Sequence, residues 1–165
     1  MDALIGLEPA VDAYARLPIQ QALTWADCAD AVPPGDWYLV VFRSIQRPGA
    51  DAVRLQLFDD LAHAEAEGSP GFVHYFKGPL APDGSCLSFC LWTSRAEARA
   101  AAVKPGHREA VSIVAEVYEV YSLEFHRVHK RDARAALEFE PFDLRPEPAA
   151  LAGMPPLMGL NPAQS

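Results

Sequence analysis

The chain lacks the features that mark membrane, secreted or nucleic-acid-binding proteins. None of its apolar runs approaches the roughly 20 residues that span a bilayer, and residues 1–6 lack the basic and apolar stretches of a signal peptide. Only 14 Lys and Arg residues stand against 22 Asp and Glu residues, so the formal net charge is −8. This balance argues against the basic patch that a nucleic-acid surface needs. We therefore expect a cytoplasmic protein with neither a nucleic-acid nor a membrane partner.

Cysteine is also scarce, with only Cys28, Cys86 and Cys90 in 165 residues. Cys86 and Cys90 fall on one predicted strand, where four residues separate them by about 13 Å, too far for a disulfide. The sequence has no CxxC motif, so we expect no structural zinc site. Reduced thiols in a reducing compartment are the simplest interpretation.

Proline and charge divide the chain into three parts. Residues 132–165 hold six of the 15 prolines, and residues 1–35 hold five acids against one arginine. We predict an N-terminal extension at 1–35, with a helix at about 7–16 and an extended piece at about 19–25. A folded domain follows at 36–131, and a Pro-rich C-terminal tail follows at 132–165.

The folded part begins with a strand and a helix. Residues 37–42 are β-branched and aromatic, which predicts a strand that is apolar on both faces. Asp51 is suited to cap a helix in which Val53, Leu57 and Leu61 repeat at every fourth position. This spacing predicts that the three side chains form the buried stripe of the helix.

Two further strands, at 72–76 and 86–92, precede a second helical region. The segment 94–97 has the pattern of a capping box, and Pro105 interrupts the helix that follows it. A last strand is predicted at about 122–129. The apolar stripe of the second helical region comprises Ala110, Ile113, Val114, Val117, Tyr118 and Tyr121.

This β-α-β-β-α-β order predicts an α+β, ferredoxin-like fold with an antiparallel sheet. One face of such a sheet packs on the helices, and we expect the other face to be uncovered. The first strand offers that face either Tyr38, Val40 and Phe42 or the residues that alternate with them, so it is apolar in both cases. An exposed apolar face implies a partner. The sequence therefore predicts a homodimer in which two sheets enclose a cavity, a dimeric α+β barrel.

Four motifs within residues 36–131 are characteristic of a known family. They are Ser69-Pro70-Gly71-Phe72, the strand that ends in Trp92, the segment 94–98, and His107-Arg108. Together they resemble the antibiotic biosynthesis monooxygenase-like family of dimeric α+β barrels, over about residues 36–130. The family includes cofactor-free oxygenases, haem-degrading enzymes and proteins of no known activity.

The resemblance implies a cavity for a small apolar or aromatic ligand. One hypothesis is an enzyme that oxidises or rearranges an aromatic or polyketide-like substrate without a cofactor. The alternative is a dimer of the same shape that binds a ligand or a partner without chemistry. A third hypothesis is haem binding or haem degradation, for which the resemblance implies His107 as the axial ligand, although a helix start at the surface would also explain this histidine.

His74 and His126 are the candidate catalytic bases. If His126 shares a strand face with Glu124, it lies opposite Leu123 and Phe125 and points into the barrel. Histidines at such positions also serve as hydrogen-bonded groups at a dimer interface.

Besides Glu124, four residues are candidates for the substrate pocket. The resemblance implies that Trp92 lines the pocket beside a flat substrate, although it could also close the end of the barrel. Arg43 could anchor a carboxylate or phenolate, or pair with an acid at the rim. Tyr75 could supply a hydroxyl, and Cys90 lies on the same side as Trp92, where a small buried thiol is the alternative. Family oxygenases often add an asparagine, and the only one here, Asn161, lies in the tail.

Overall fold

A five-stranded antiparallel sheet organises the computed structural model, which describes residues 2–142. The strands are β1 (Gly35–Gln46), β2 (Phe72–Phe76), β3 (Ser85–Trp92), β4 (Tyr118–Lys130) and β5 (Glu138–Pro141). Their order across the sheet is β2-β3-β1-β4-β5. The predicted α+β, ferredoxin-like order is confirmed. The sequence did not predict β5, which lies in the segment assigned to the tail; residues 143–165 lie outside the described residues.

Six helices accompany the sheet, and none within residues 2–142 is long and apolar enough to cross a membrane. They are α1 (Ile19–Ala22), α2 (Trp25–Ala29), α3 (Ala52–Glu67), α4 (Arg95–Ala102), α5 (Pro105–Ser112) and α6 (Val114–Val117). Helices α3 and α4 begin at the predicted N-caps, Asp51 and Ser94.

Local hydrogen bonds explain where α3 and α4 begin. The Asp51 carboxylate accepts the N–H groups of the first turn of α3, and the Ser94 hydroxyl accepts the Glu97 N–H of α4. The Glu97 carboxylate lies beside Gly71, which has a φ of +75° and has no room for a Cβ. Glycine is therefore required immediately before β2.

The apolar stripe predicted for α3 faces the opposite way. Val53, Leu57 and Leu61 are 81%, 56% and 44% exposed, and Phe58 and Ala66 lie on the inner side instead. Because the helix has apolar residues on two sides, the four-residue spacing did not identify the buried one. The prediction that Val53, Leu57 and Leu61 are buried is wrong.

The second helical region also ends earlier than predicted. The last helix, α6, stops at Val117, and β4 starts at Tyr118. Tyr118 and Tyr121 are therefore strand residues, and their assignment to a helix stripe is wrong. Their aromatic rings suit a strand as well as a helix, so composition did not separate the two.

The N-terminal segment, residues 2–34, folds differently from the prediction. Neither the helix at 7–16 nor the extended piece at 19–25 is present; a 3₁₀ turn at Tyr14–Arg16, α1 and α2 occupy this region. Pro9 and Pro18 lack the N–H that a continuous helix needs. Pro9 forms an isolated β-bridge with Leu23, and α1 begins directly after Pro18.

This N-terminal segment covers the sheet face that was expected to be open. Its buried side chains include Leu4, Tyr14, Ile19 and Trp25, and they share one core with the β1 and β3 side chains of that face. The members from β1 and β3 are Trp37, Leu39, Val41, Leu87, Phe89 and Leu91. The expectation of an uncovered sheet face is therefore wrong, because the chain supplies its own cover.

A buried lysine fixes the end of the N-terminal segment. Lys130 is only 1% exposed, and its ammonium donates hydrogen bonds to the carbonyl oxygens of Ala29, Val32 and Ala133. No acid pairs with this ammonium among the residues described, so the three carbonyls replace its water shell. The opposite sheet face packs on α3 and α4 through Tyr38, Trp92 and alanines of the two helices.

Candidate functional site

Strand register places Arg43, Glu124 and His126 on one side of the sheet. In the β1–β4 ladder, Leu39 lies opposite His126 and Val41 lies opposite Glu124. Paired residues share a face, and alternate residues along a strand do too. Arg43, two positions beyond Val41, therefore points to the same side, which the N-terminal segment covers.

The three side chains form a connected network. Arg43 Nε donates to Glu124 Oε1 at 2.5 Å, and His126 Nε2 lies 3.3 Å from Glu124 Oε2. Arg43 also donates to the carbonyl oxygens of Ala15 at 2.6 Å and Leu17 at 2.8 Å. The network thus joins two strands to the N-terminal segment.

Hydrogen bonding keeps Glu124 ionised. The bond from His126 and then the bonds and charge of Arg43 lower the pKa of Glu124 to about 2. The carboxylate therefore neutralises the Arg43 guanidinium and orients the His126 ring. This is the arrangement in which a histidine can take a proton while a fixed carboxylate stabilises the resulting cation.

A cavity of about 670 Å³ lies beside this network. Its lining includes all three residues, together with residues 15–20, parts of β1 and β4, and Phe139 and Pro141 of β5. Its apolar side chains include Leu17, Ile19 and Ile45. The volume lies within the range of about 300–1,000 Å³ that small-molecule pockets occupy.

His74 lies on the same sheet face but not at this cavity. It is in one cross-strand row with Leu91, Leu39 and His126. Three strand spacings separate the two histidines, which is about 14 Å. Burial lowers the pKa of His74 to about 4, and its ring is 6.0 Å from that of Phe89. The structure does not bring the two candidate bases together.

Tyr75, Cys90 and Trp92 lie on the opposite face, under the helices. Tyr75 is paired with Cys90, and its hydroxyl donates to Asp59 of α3 at 2.8 Å. Burial raises the pKa of Tyr75, and it raises the pKa of Cys90 to about 12. Trp92 is buried with its ring edge against Phe72. The three residues therefore do not share the cavity of Arg43, Glu124 and His126.

His107 lies near the start of α5, against α3. Its backbone N–H donates to Glu65 at 3.0 Å, and burial lowers the pKa of its half-buried ring. It does not line the cavity. Among residues 2–142, no group of three or more His, Cys, Asp or Glu residues is arranged to hold a metal ion. Haem binding through His107 stays a prediction.

Sequence reasoning missed one wall of the cavity. Ala15 and Leu17 contribute backbone carbonyls to the Arg43 network, and Phe139 contributes a ring from β5. Backbone carbonyls leave no signal in a sequence, and Phe139 lies beyond the predicted domain. The available signals for this network were an arginine in the first strand and, in the last strand, an acid two positions before a histidine.

Some solved structures share features of this fold. SnoaB, a cofactor-independent oxygenase from Streptomyces nogalater, is 16% identical, with 59% of this chain and 95% of that chain covered and a TM-score of 0.45. Rv0793 from Mycobacterium tuberculosis is 19% identical, with 58% and 96% covered and a TM-score of 0.48. A dimeric ferredoxin-like protein of unknown function from Thermobifida fusca is 14% identical, with 55% and 90% covered and a TM-score of 0.46.

No curated protein matches the chain. The PB2B2.08-like family model matches residues 1–141, which include the N-terminal segment, the whole sheet and the network of Arg43, Glu124 and His126. The chain therefore belongs to the PB2B2.08-like family.

Proposed function

We propose that the chain is a small-molecule enzyme that acts in the cavity between the N-terminal segment and the sheet. The observation that supports this is the contact of His126 with Glu124 on the wall of an otherwise largely apolar cavity. A cavity of this kind suits a small aromatic or polyketide-like compound with one acidic C–H or O–H group.

In this proposal His126 is the general base. Its Nε2 faces Glu124, so its Nδ1 is the atom that would take the proton of the substrate. The ionised Glu124 would stabilise the imidazolium that forms, as a fixed carboxylate does beside other catalytic histidines. Arg43 acts through Glu124 and is a positioning residue.

The oxidation would need no cofactor. Loss of the proton leaves the substrate as an electron-rich enolate, which can pass electrons to molecular oxygen. For an anthrone, one oxygen atom becomes the new ring carbonyl and the other leaves as water, which gives the anthraquinone. The apolar side chains of the cavity would hold the ring system.

Oxygen uptake with a panel of anthrones and quinols tests the proposal. We expect His126→Gln to lower kcat about 100-fold or more, the usual contribution of a general base. His129→Gln is the matched control, because His129 lies at the surface and contacts Asp36. An unchanged rate in His126→Gln would exclude His126 as the base, and no uptake by the wild type with any substrate would exclude the oxidation.

A second candidate function is ligand binding without chemistry. It is favoured by the hydrogen bonds from Arg43 to Ala15 and Leu17, since they give the network a role in holding the N-terminal segment. In this case the wild type would bind aromatic ligands in calorimetry but would turn none of them over.

We also propose that the protein is cytoplasmic and forms a homodimer. Cys28, Cys86 and Cys90 are all free, which suits a reducing compartment. The N-terminal segment covers the sheet face that was expected to form the interface, so a second copy would need another surface. Light scattering measures the mass in solution, and a monomer at micromolar concentration would exclude the dimer.

A further inference from the structure

The charge of the cavity wall points to the kind of ligand that the cavity accepts. Its charged lining residues are Arg16, Arg43 and Glu124. Both arginines are already paired with acids, Arg16 with Asp83 at 2.6 Å and Arg43 with Glu124. A cavity next to two arginines would normally be expected to bind anions.

Arg43 has little capacity left for a ligand. Its Nε and Nη2 donate to the Glu124 carboxylate, and its Nη1 and Nη2 donate to the carbonyls of Ala15 and Leu17. A guanidinium has five N–H groups, and four hydrogen bonds engage this one. An incoming carboxylate would therefore have to displace Glu124 or bind beside its negative charge.

An uncharged hydroxyl meets no such obstacle. It can donate to His126, which is a neutral acceptor when its other ring nitrogen donates to Glu124. The apolar side chains Leu17, Ile19 and Ile45 can then contact the rest of the ligand. Charge balance and hydrogen bonding therefore both favour an uncharged ligand that carries a hydroxyl group.

We propose that Glu124 is a specificity-determining residue, which makes the cavity select uncharged, hydroxyl-bearing aromatic ligands over carboxylates of the same shape. This inference rests on the proposed function only in that it uses the same cavity. It does not depend on oxidation or on proton transfer.

Calorimetric binding of a matched pair of probes to the full chain tests the inference. The probes are 2-naphthol, which is uncharged at pH 7, and 2-naphthoate, which differs in carrying a carboxylate. For the wild type we expect 2-naphthol to bind at least about tenfold more tightly, because 2-naphthoate cannot donate to His126 and would place its charge beside that of Glu124. Glu124→Gln frees the Arg43 charge and should reverse the preference.

Two further variants make the test specific. The double variant Arg43→Gln and Glu124→Gln removes both charges, so it should restore the preference for 2-naphthol. Arg16→Gln removes a cation that Asp83 already neutralises, so it should leave the preference of the wild type unchanged.

The outcomes separate this inference from the proposed function. Equal or tighter binding of 2-naphthoate by the wild type overturns the charge selection but leaves the cavity as a ligand site. An unreversed preference in a folded Glu124→Gln variant overturns the role of Glu124. Binding of neither probe overturns the cavity as an aromatic-ligand site, and the charge selection with it.

Discussion

On one face of the sheet, α3 and α4 pack over Tyr38 and Trp92; on the other, the N-terminal segment packs over the β1 and β3 core. The helix-covered face buries several titratable groups that stay neutral. Burial raises the pKa values of Tyr75, Cys90 and Tyr121, which keeps them in their neutral forms. The face under the N-terminal segment instead keeps a charged network beside a cavity.

The N-terminal segment leaves a cavity beside the sheet at the Arg43 network. The N-terminal segment shares one core with β1 and β3, and two polar side chains of the sheet also bind its backbone. At one point Lys130 binds its carbonyls, and at another Arg43 does the same. The cavity lies at the Arg43 end, so its shape depends on how firmly the segment is held.

Removal of the largest side chain in the N-terminal segment tests whether it is part of the fold. Trp25 is buried, and its ring lies 5.3 Å from that of Phe89 and 5.0 Å from that of Phe139. We expect Trp25→Ala to lower the free energy of unfolding by about 3–5 kcal/mol, the usual cost of such a core truncation. Urea denaturation measures this change.

Trp92→Ala is the matched variant on the helix-covered face, and we expect a cost in the same range because Trp92 is equally buried. Ile5→Ala, at a residue that is 74% exposed, should change stability by less than about 0.5 kcal/mol. A large loss for Trp92→Ala with almost none for Trp25→Ala would mean that the N-terminal segment is not an integral cover.

Replacement of Lys130 tests the anchor at the end of that segment. Lys130→Met keeps most of the side-chain volume but leaves three carbonyls without their donor, so we expect a loss of about 2 kcal/mol in the free energy of unfolding. Arg131→Met is the control, because the Arg131 side chain is 73% exposed. Equal stability of the two variants in urea denaturation would show that the ammonium does not hold the segment.

The regular part of this fold could be predicted from the sequence, because local patterns determine it. Strand β2 matches its predicted range, and the cap of α3 lies at the predicted Asp51. The N-terminal segment could not be predicted in the same way. Its buried residues, such as Leu4 and Tyr14, follow no single period, since contacts with a sheet far away in the chain decide which of them are buried.

The candidate site was predictable only in part. Alternation along β4 placed Glu124 and His126 on one face, but no local pattern gives the register that brings Arg43 beside them. His74 shares that face, yet its distance from His126 depends on the strand order, which the sequence does not show directly. Trp92 and Cys90 were correctly placed together, but on the face away from the network.

The last effect that we predict concerns His74, a half-buried residue on the face under the N-terminal segment. Burial lowers its folded pKa to about 4 from an ordinary value of about 6.5, so the unfolded chain binds the proton more readily. Its contribution to stability is complete above pH 6.5 and is lost as the pH falls towards 4. Thermal melting should therefore show a smaller decrease in Tm between pH 7 and pH 4.5 in His74→Gln than in the wild type. His129→Gln, at the surface, should not reduce that decrease, and identical pH profiles for His74→Gln and the wild type would show that His74 is accessible to water.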